Sequence, residues 1–326
     1  MQTDPSGPLT RRIVLATALG SAAALAAPAL LAQDYPSRPV EVVHQFGPGG
    51  GTDLFVRAVA GPFREITGHN MVSVSVQGGG GIPAVTNFLQ RPADGHSMMA
   101  TGPEQVINHV LGRMDLADLR HVSRVQFDQG LYLVTPDSPF QTIEDLLEAA
   151  RAAPGSLSIA VTGTAGFDDV LVGKWGLESG AELSTVPFSA AEAISNTLGG
   201  HVDLLFEEYG PVRGLIESGD LIPLVQFTEE RIAVLPDVPT ARELGYDVTL
   251  GRWRGFSLQT GDDPAHAEAM FELVAQAVDT DAYRQVEEDN ALQFRSVLLN
   301  PEEFAAFIEQ EIEIYTTVLR ELGYIE

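Results

Sequence analysis

The feature that most constrains the fold is a repeated pattern of three parts. A strand-length apolar run ends in a glycine-rich loop, and a helical pattern follows. The three copies have strands at residues 40–46, 71–76 and 158–161 and loops at residues 47–51, 78–81 and 162–166. Apolar runs that alternate with longer helical patterns are typical of βα units on a largely parallel sheet. The sequence therefore predicts an α/β fold.

The order of the remaining segments predicts two lobes. Residues 122–127 with 131–134, and later residues 253–258, have the pattern of extended segments that cross between lobes. We expect one discontinuous lobe from residues 34–130 plus 253–326, and a second lobe from residues 131–252. The tail is helical, and Pro301 with the acids after it is a favourable helix start.

The first glycine-rich loop, residues 47–51, has the design of an anion site. Glycine lets a ligand approach main-chain N–H groups, and a helix N-terminus adds unpaired donors and a partial positive charge. A simpler interpretation is also open: Thr52 or Asp53 caps the helix, and the glycines only make a tight turn. The glycine spacing does not fit a dinucleotide-binding fingerprint. Several such loops should meet at the carboxyl ends of the strands, in a cleft between the lobes.

Charge and cysteine content exclude several classes of function. The chain has 45 acidic and 19 basic residues, a formal net charge of -26. Such a chain lacks the basic face that nucleic acid requires, and it would be repelled by anionic membrane surfaces. It has no cysteine, which excludes disulfides, cysteine-bound zinc, iron–sulfur clusters and a thiol nucleophile.

Residues 1–33 have the pattern of an export signal. Arg11 and Arg12 precede a nearly uncharged run rich in Ala and Leu, and small residues follow before Gln33. A basic region, an apolar region and a small-residue cleavage zone define a secretory signal, and adjacent arginines suit the twin-arginine route. The alternative is an uncleaved membrane anchor, since the run is long enough to span a bilayer. We expect a periplasmic protein whose signal is removed.

Motifs of known enzymes are absent from the sequence. It contains no G-x-S-x-G elbow and no H-E-x-x-H pair, and its seven histidines are scattered without local metal-ligand spacing. We therefore expect no catalytic residues and no metal site. An exported hydrolase remains an alternative, because serines and carboxylates are plentiful.

Short motifs along the whole mature chain resemble one family of receptors. They are YPSRPV at 35–40, FGPGGGTD at 46–53, PADG at 92–95, PGSL at 154–157, VPF at 186–188, LGGHVD at 198–203, LPDVPT at 235–240, ELGY at 243–246 and WRG at 253–255. Together they resemble the substrate-binding proteins of the tripartite tricarboxylate transporter family, the Bug-type receptors. The first glycine loop and the LPDVPT stretch are the most diagnostic parts.

The resemblance implies a two-lobed periplasmic binding protein fold of type II-like form, with a mostly parallel sheet flanked by helices in each lobe. It also implies that the lobes close around a small carboxylate. Carried onto this sequence, the first lobe's ligand-binding residues would be Phe46, Gly47, Gly49, Gly50, Thr52, Asp53, Gly79, Gly80, Thr101 and Gly102. Those across the cleft would be Thr162, Gly163, Thr164, Asp169 and Phe188.

The chain departs from the family pattern on the far side of the cleft. Relatives often have a later histidine where this chain has Asp169, and a Tyr-Lys-Gly where it has Phe188-Ser189-Ala190. Loss of a lysine and a histidine predicts a less anionic far end of the ligand: a monocarboxylate, an aromatic acid or an amino-bearing acid. Asp169 could instead be an exposed acid on a helix.

The expected function is a non-catalytic receptor, a monomer that delivers a small organic carboxylate to integral membrane transporter subunits. We expect no metal, nucleotide or redox cofactor. A receptor that reports ligand binding to a membrane kinase is an alternative, because uptake and sensing both need closure that depends on the ligand.

Overall fold

The computed structural model of the protein describes residues 35–163, 165–293 and 297–326. The expected export signal, residues 1–33, lies outside the described residues. Residues 38–326 form one compact unit. The strands are β1 (Val40–His44), β2 (Met71–Ser75), β3 (Ser97–Thr101), β4 (Leu119–Asp128), β5 (Gly130–Val134), β6 (Ser158–Thr162), β7 (Ser184–Phe188), β8 (Leu204–Glu208), β9 (Ile222–Gln226) and β10 (Arg252–Gln259).

Helices follow most of these strands. They are α1 (Gly51–Thr67), α2 (Ile82–Leu89), α3 (Pro103–Val110), α4 (Ile143–Ala152), α5 (Phe167–Ser179), α6 (Ala190–Leu198), α7 (Tyr209–Ser218), α8 (Pro264–Val278), α9 (Asp281–Asp289) and α10 (Pro301–Glu321). Short 3₁₀ turns lie at Gly79–Gly81 and Leu116–Asp118. Among the residues described, no helix combines the length and the apolar character needed to cross a bilayer.

The strands form two five-stranded sheets, ordered β2-β1-β3-β10-β4 and β7-β6-β8-β5-β9. In the first sheet, β10 runs antiparallel to both of its neighbours. In the second sheet, β5 does the same. Each sheet therefore has four strands that point one way and a single reversed strand. The predicted two-lobed α/β fold with mostly parallel sheets is confirmed.

The reversed strands belong to the segments that were expected to cross between the lobes. Strand β4 ends at Asp128 in the first sheet, and β5 begins at Gly130 in the second. Strand β10 returns the chain to the first sheet. The predicted division of lobes, 34–130 plus 253–326 against 131–252, follows this path and stays a proposal.

Helix α1 illustrates how local sequence positions the site. Its apolar residues Phe55, Val59 and Phe63 recur at every fourth position and are buried against the first sheet's core. The helix ends at Gly68, whose left-handed φ of 74° is easy only for glycine. At its other end Asp53 lies in the first turn, where a negative charge is favourable.

The C-terminal helix fixes the strand that carries the site's arginines. Helix α10 begins at Pro301 as predicted, and Asn300 caps it by accepting a hydrogen bond from the Glu303 N–H. Its Phe304 packs edge-on against Trp253 of β10 with ring centroids 5.5 Å apart. The Trp253 indole also donates a 2.6 Å hydrogen bond to Glu311 of α10. These contacts hold the start of β10 in place.

Some elements were missed in the sequence prediction. Helices α3, α7 and α9 were not predicted. Strand β8 spans Leu204–Glu208, and these bounds place Glu207 and Glu208 at the carboxyl end of a strand.

Candidate functional site

A cavity of about 300 Å³ lies where the ends of strands from both sheets meet. This volume suits a small molecule. Parallel strands collect their carboxyl ends at one edge of a sheet, and such edges are the usual ligand sites of α/β proteins. The cavity is lined by Gln45, Phe46, Gly47, Gly50, Gly51, Thr52, Gln77, Gly78, Gly80, Gly81, Glu104, Thr162, Gly163, Gly166, Phe188, Ser189, Ala190, Glu207, Glu208, Arg252 and Arg254.

The reversed strands add their starting residues to the same edge. Register pairs Arg252, the first residue of β10, with Asp128 at the end of β4. Gly130 at the start of β5 likewise pairs with Glu208 at the end of β8. The reversed strand β10 therefore places the charged side chain of Arg252 at this edge, which is otherwise lined by the loops that follow the parallel strands.

The loop after β1 forms one wall of the cavity. Gly49 has a left-handed φ of 81°, and the Gly50 N–H bonds back to the Gly47 carbonyl at 3.3 Å. Gly50 is the N-cap of α1 and supplies no side-chain cap. The N–H groups in the first turn of a helix have no partner within the helix, and they carry its positive dipole end. This wall can therefore present main-chain donors to an anion.

Asp53 shapes this loop and does not line the cavity. Its carboxylate accepts hydrogen bonds from the Gly49 N–H at 3.0 Å, from Arg57 at 2.8 Å and from the Ser73 hydroxyl at 2.7 Å. Burial alone would raise the pKa of Asp53, but these hydrogen bonds outweigh burial and lower it to about 2. The carboxylate is charged at neutral pH and holds the loop in shape. Gly49 also lies outside the cavity lining.

The other residues predicted on the first lobe divide into two groups. Gly80 lines the cavity, whereas Gly79 does not. Thr101 and Gly102 line a small neighbouring pocket that also includes Phe46 and Thr52. There the Thr101 hydroxyl donates a 2.7 Å hydrogen bond to Ser257. Gly47, Gly50, Phe46 and Thr52 line the main cavity, and their contact with a ligand stays a prediction.

Three of the five residues predicted across the cleft line the cavity. They are Thr162, Gly163 and Phe188. Thr164 lies outside the described residues. Asp169 lies in the first turn of α5, half-buried and away from the cavity lining, and it accepts a hydrogen bond from the Ala165 N–H. It holds the loop before its helix, much as Asp53 does on the other side.

A buried ion network at the cavity was missed by sequence reasoning. Arg252 pairs with Glu104 at 2.7 Å, with Asp168, and with Glu208 at 2.6 Å. Arg254 pairs with Glu208 at 2.8 Å and with Asp128 at 3.3 Å. It also donates a 3.2 Å hydrogen bond to Thr52. These charged side chains are each no more than 6% exposed.

Burial perturbs the acids of this network. It raises the pKa of Asp168 to about 6, although Arg252 and the Thr162 hydrogen bonds oppose the rise. Burial, with the charge of Glu208, also raises the pKa of Asp128. The pKa of Glu208 is lowered, because Arg254 and Arg252 together outweigh its burial.

A sequence signal for the network existed. Residues two apart on a strand point to the same face, so Arg252 and Arg254 on an extended segment predict two side chains together. No sequence signal identified their partners.

Chemically, the cavity suits binding. It offers main-chain donors from a glycine loop and a helix start, hydroxyl and amide side chains, and the rings of Phe46 and Phe188. Within residues 35–163, 165–293 and 297–326, no cluster of acidic and histidine side chains is arranged to hold a metal ion.

Two α/β sheets whose strand ends meet at a shared cavity define the class of two-lobed solute receptors. The family model described as "Tripartite tricarboxylate transporter family receptor" matches residues 55–324. The chain therefore belongs to this receptor family, which confirms the resemblance read from its motifs. The family is one of solute-binding receptors and not of enzymes, and membership implies export from the cytoplasm.

Individual relatives agree over nearly the full length. The chain is 28% identical to protein BugT of Bordetella pertussis over 324 residues, 97% of this chain and 98% of the relative. A structure of R. palustris Rpa4515 with adipate is 24% identical, has a TM-score of 0.82, and is matched over 89% of this chain and 99% of that chain. MatC from Rhodopseudomonas palustris with bound malate is 22% identical, with a TM-score of 0.78 and coverage of 87% and 100%.

Proposed function

We propose that the protein captures a small organic carboxylate in the cavity between its two sheets and delivers it to a membrane transporter. The proposal depends on one observation: the start of α1, which has no side-chain cap, lines the cavity together with the loop after β1. A helix start with exposed N–H groups is a ready-made site for a carboxylate. The adipate and malate bound by the two solved relatives support the same ligand class.

The two arginines are not the primary anion site in this proposal. Their guanidinium groups are neutralised by Glu104, Asp168, Glu208 and Asp128. The ligand's carboxylate instead binds the main-chain N–H groups of Gly51 and Thr52, which need no desolvated cation. Phe46 and Phe188 cover the apolar part of the ligand.

Closure of the lobes accounts for transport without chemistry. A ligand that contacts the loop after β1 and the loop after β7 at once would stabilise the closed arrangement. In this proposal the protein is a monomer that acts outside the cytoplasm after removal of its twin-arginine signal. It has no catalytic residue, and it docks its closed form on integral membrane subunits of a tripartite transporter.

A thermal-shift screen of the protein against organic acids tests the proposed function. The acids should include monocarboxylates, dicarboxylates, tricarboxylates, aromatic acids and amino acids. A ligand at about 100 times its dissociation constant should add about 2.7 kcal/mol to the free energy of unfolding. We expect at least one acid to raise the melting temperature, and a response from none would contradict the proposal.

Variants of Gly50 locate the binding site. Its φ of -73° suits any residue, and an added Cβ would lie 3.5 Å from the Ala190 Cβ across the cavity. Gly50→Ala should therefore fold and retain binding. Gly50→Leu should fold but abolish the thermal shift, because its longer side chain fills the space between the two loops. Equal shifts in both variants would place the ligand elsewhere.

A further inference from the structure

Among the described residues, one carboxylate oxygen of a cavity-lining glutamate has no hydrogen-bond partner. Glu207 lies near the end of β8, is 5% exposed and lines the cavity. Its Oε1 accepts a 2.9 Å hydrogen bond from the Glu208 N–H. Its Oε2 is buried and has no hydrogen-bond partner among the described residues. Buried polar atoms are almost always hydrogen-bonded, so an orphaned oxygen in a cavity wall indicates where a donor belongs.

The charges that surround this oxygen determine which donor would fit. The charged residues described in the cavity lining are Glu104, Glu207, Glu208, Arg252 and Arg254. Both arginines are held by carboxylates at 2.6–3.3 Å. A second anionic group on the ligand would therefore meet acids without a free cation to pair with. A cationic group would meet a glutamate with one unpartnered oxygen, which is the favourable case.

We propose that the ligand carries a protonated amino group as well as its carboxylate, and that Oε2 of Glu207 accepts a hydrogen bond from this ammonium group. This inference rests on the proposed function, because it uses the glycine-loop wall for the carboxylate. It narrows the ligand class to amino carboxylates. A charge-assisted hydrogen bond of this kind is stronger than a neutral one and gives specificity against plain acids.

Binding of an ammonium group at Glu207 should release protons. Burial raises the pKa of Glu207 well above its ordinary value, and the charges of Glu208 and Asp168 raise it further, against the opposing charge of Arg252. Glu104 and Arg254 complete the charged groups that line the cavity. Glu207 therefore keeps its proton to a higher pH than an exposed glutamate does. An ammonium group that binds there replaces this proton, which passes to the buffer.

Titration calorimetry with matched ligand pairs tests the inference. Each amino acid is compared with the acid that lacks its amino group: alanine with propionate, 4-aminobutyrate with butyrate, glutamate with glutarate, and phenylalanine with 3-phenylpropionate. We expect the amino member of at least one pair to bind about tenfold or more tightly. Repeating the titration in buffers of different ionisation enthalpy should show that protons are released when the amino member of the pair binds.

Two variants assign the effect to Glu207. Glu207→Gln keeps the shape and an acceptor oxygen but cannot lose a proton or carry charge, so the amino preference and the proton release should both disappear. Glu311→Gln is the matched control, because Glu311 is also a buried glutamate with a raised pKa but does not line the cavity. It should keep both properties. If Glu207→Gln fails to fold, the ligand pairs and the proton count on the unaltered protein still decide.

The outcomes separate this inference from the proposed function. Tighter binding of the plain acid in every pair would overturn the inference and leave the carboxylate receptor intact. Binding of an amino acid without proton release, or with an unchanged preference in Glu207→Gln, would overturn the role of Glu207. Failure of all eight compounds while another acid of the thermal-shift screen binds would overturn the inference alone, and failure of every acid in that screen would overturn both proposals.

Discussion

At the scale of single residues, two arginines organise the cavity's charges. Arg252 and Arg254 are two positions apart on β10, so both point to the same face, and between them they contact four carboxylates. All four acids come from other elements: Glu104 from α3, Asp128 from β4, Asp168 from α5 and Glu208 from β8. Arg252 thus connects helices that pack beside different sheets. Removal of one member of such a network leaves a buried charge without compensation, which is strongly destabilising.

Removal of Arg252 should therefore destabilise the fold strongly. Arg252→Met leaves Glu104 and Asp168 without their cation, and breaking a buried pair in this way costs about 3–5 kcal/mol. The control is Arg213→Met, because Arg213 pairs with Glu217 and Asp289 on the surface. Surface ion pairs contribute little to stability, so Arg213→Met should lower the free energy of unfolding much less than Arg252→Met. Urea unfolding of both variants measures the difference, and similar losses would refute the importance of the buried network.

A second residue-scale prediction concerns Gly51, the first residue of α1. An added Cβ there would lie 2.2 Å from Arg254 Nη2 and 2.6 Å from Glu208 Oε2, so the ion pair would have to move. Overpacking of this kind typically costs about 1–3 kcal/mol, and we expect Gly51→Ala to lose that much stability and to bind its acid more weakly.

The matched change is Gly214→Ala in the middle of α7. Gly214 is exposed, and an added Cβ would meet no atom within 4 Å. Alanine favours a helix interior over glycine by about 0.5–1 kcal/mol, so this variant should gain stability and bind normally. If the two substitutions change the free energy of unfolding in opposite directions, the close packing at Gly51 is supported. A neutral Gly51→Ala would count against it.

At the scale of elements, the loop between β1 and α1 is held by one carboxylate. Asp53→Ala removes the acceptor of the Gly49 N–H, and a hydrogen bond to a charged group is worth about 1.5–3 kcal/mol. We expect roughly tenfold or faster hydrogen exchange at the Gly49 amide and weaker ligand binding. Amide exchange measured by NMR tests this.

Asp145→Ala is the control for that experiment. Asp145 accepts hydrogen bonds from the N–H groups of Gln141 and Thr142 at the start of α4, away from the cavity. Its loss should speed exchange at those two amides and leave ligand affinity unchanged. Equal binding by both variants would show that the shape of the first loop does not matter for the site.

The elements and loops were the predictable part of this molecule. Alternation of apolar runs and helical patterns is a local signal, and it located both sheets and the glycine loops that line the cavity. Helix α3 was missed because it spans eight residues directly after a strand, and α9 because its sequence is strongly polar. Such short helices depend on tertiary packing, which a local pattern does not record.

The ion network was beyond sequence reasoning for a different reason. Arg252 lies 148 positions from Glu104 and 84 from Asp168. Pairs this distant are set by how the two sheets meet, and an acidic chain offers many other carboxylates as candidates. Asp53 and Asp169 were assigned to the ligand because they lie in the right loops. The structure places them behind those loops, as supports.

At the scale of the whole molecule, stability should fall as pH rises from about 5 to 8. Burial raises the pKa of Asp168 to about 6 and that of Glu311 to about 7. Between their ordinary and raised pKa values these acids hold protons in the folded state but not in the unfolded state. The unfolding free energy therefore decreases with pH over this window. Asp53, whose pKa is lowered, changes the free energy of unfolding with pH only below about pH 4.

Urea unfolding at pH 5 and pH 8 measures this dependence. The unaltered protein should have a lower midpoint at pH 8. Glu311→Gln should reduce the difference between the two midpoints, because it removes one of the acids and keeps an acceptor for the Trp253 N–H. Glu302→Gln is the control, because Glu302 is an exposed residue of the same helix. It should leave the difference between the midpoints unchanged. A midpoint that rises with pH would contradict the assignment of buried neutral acids.

The proposed function requires that a small carboxylate binds between the two sheets, at the start of α1. A crystal structure of the protein with the most tightly bound acid of the screen tests it most directly. We expect one ligand in the cavity, with its carboxylate within hydrogen-bond distance of the main-chain N–H of Gly51 or Thr52. A carboxylate bound instead by the arginines of β10, or a ligand outside the cavity, would contradict it.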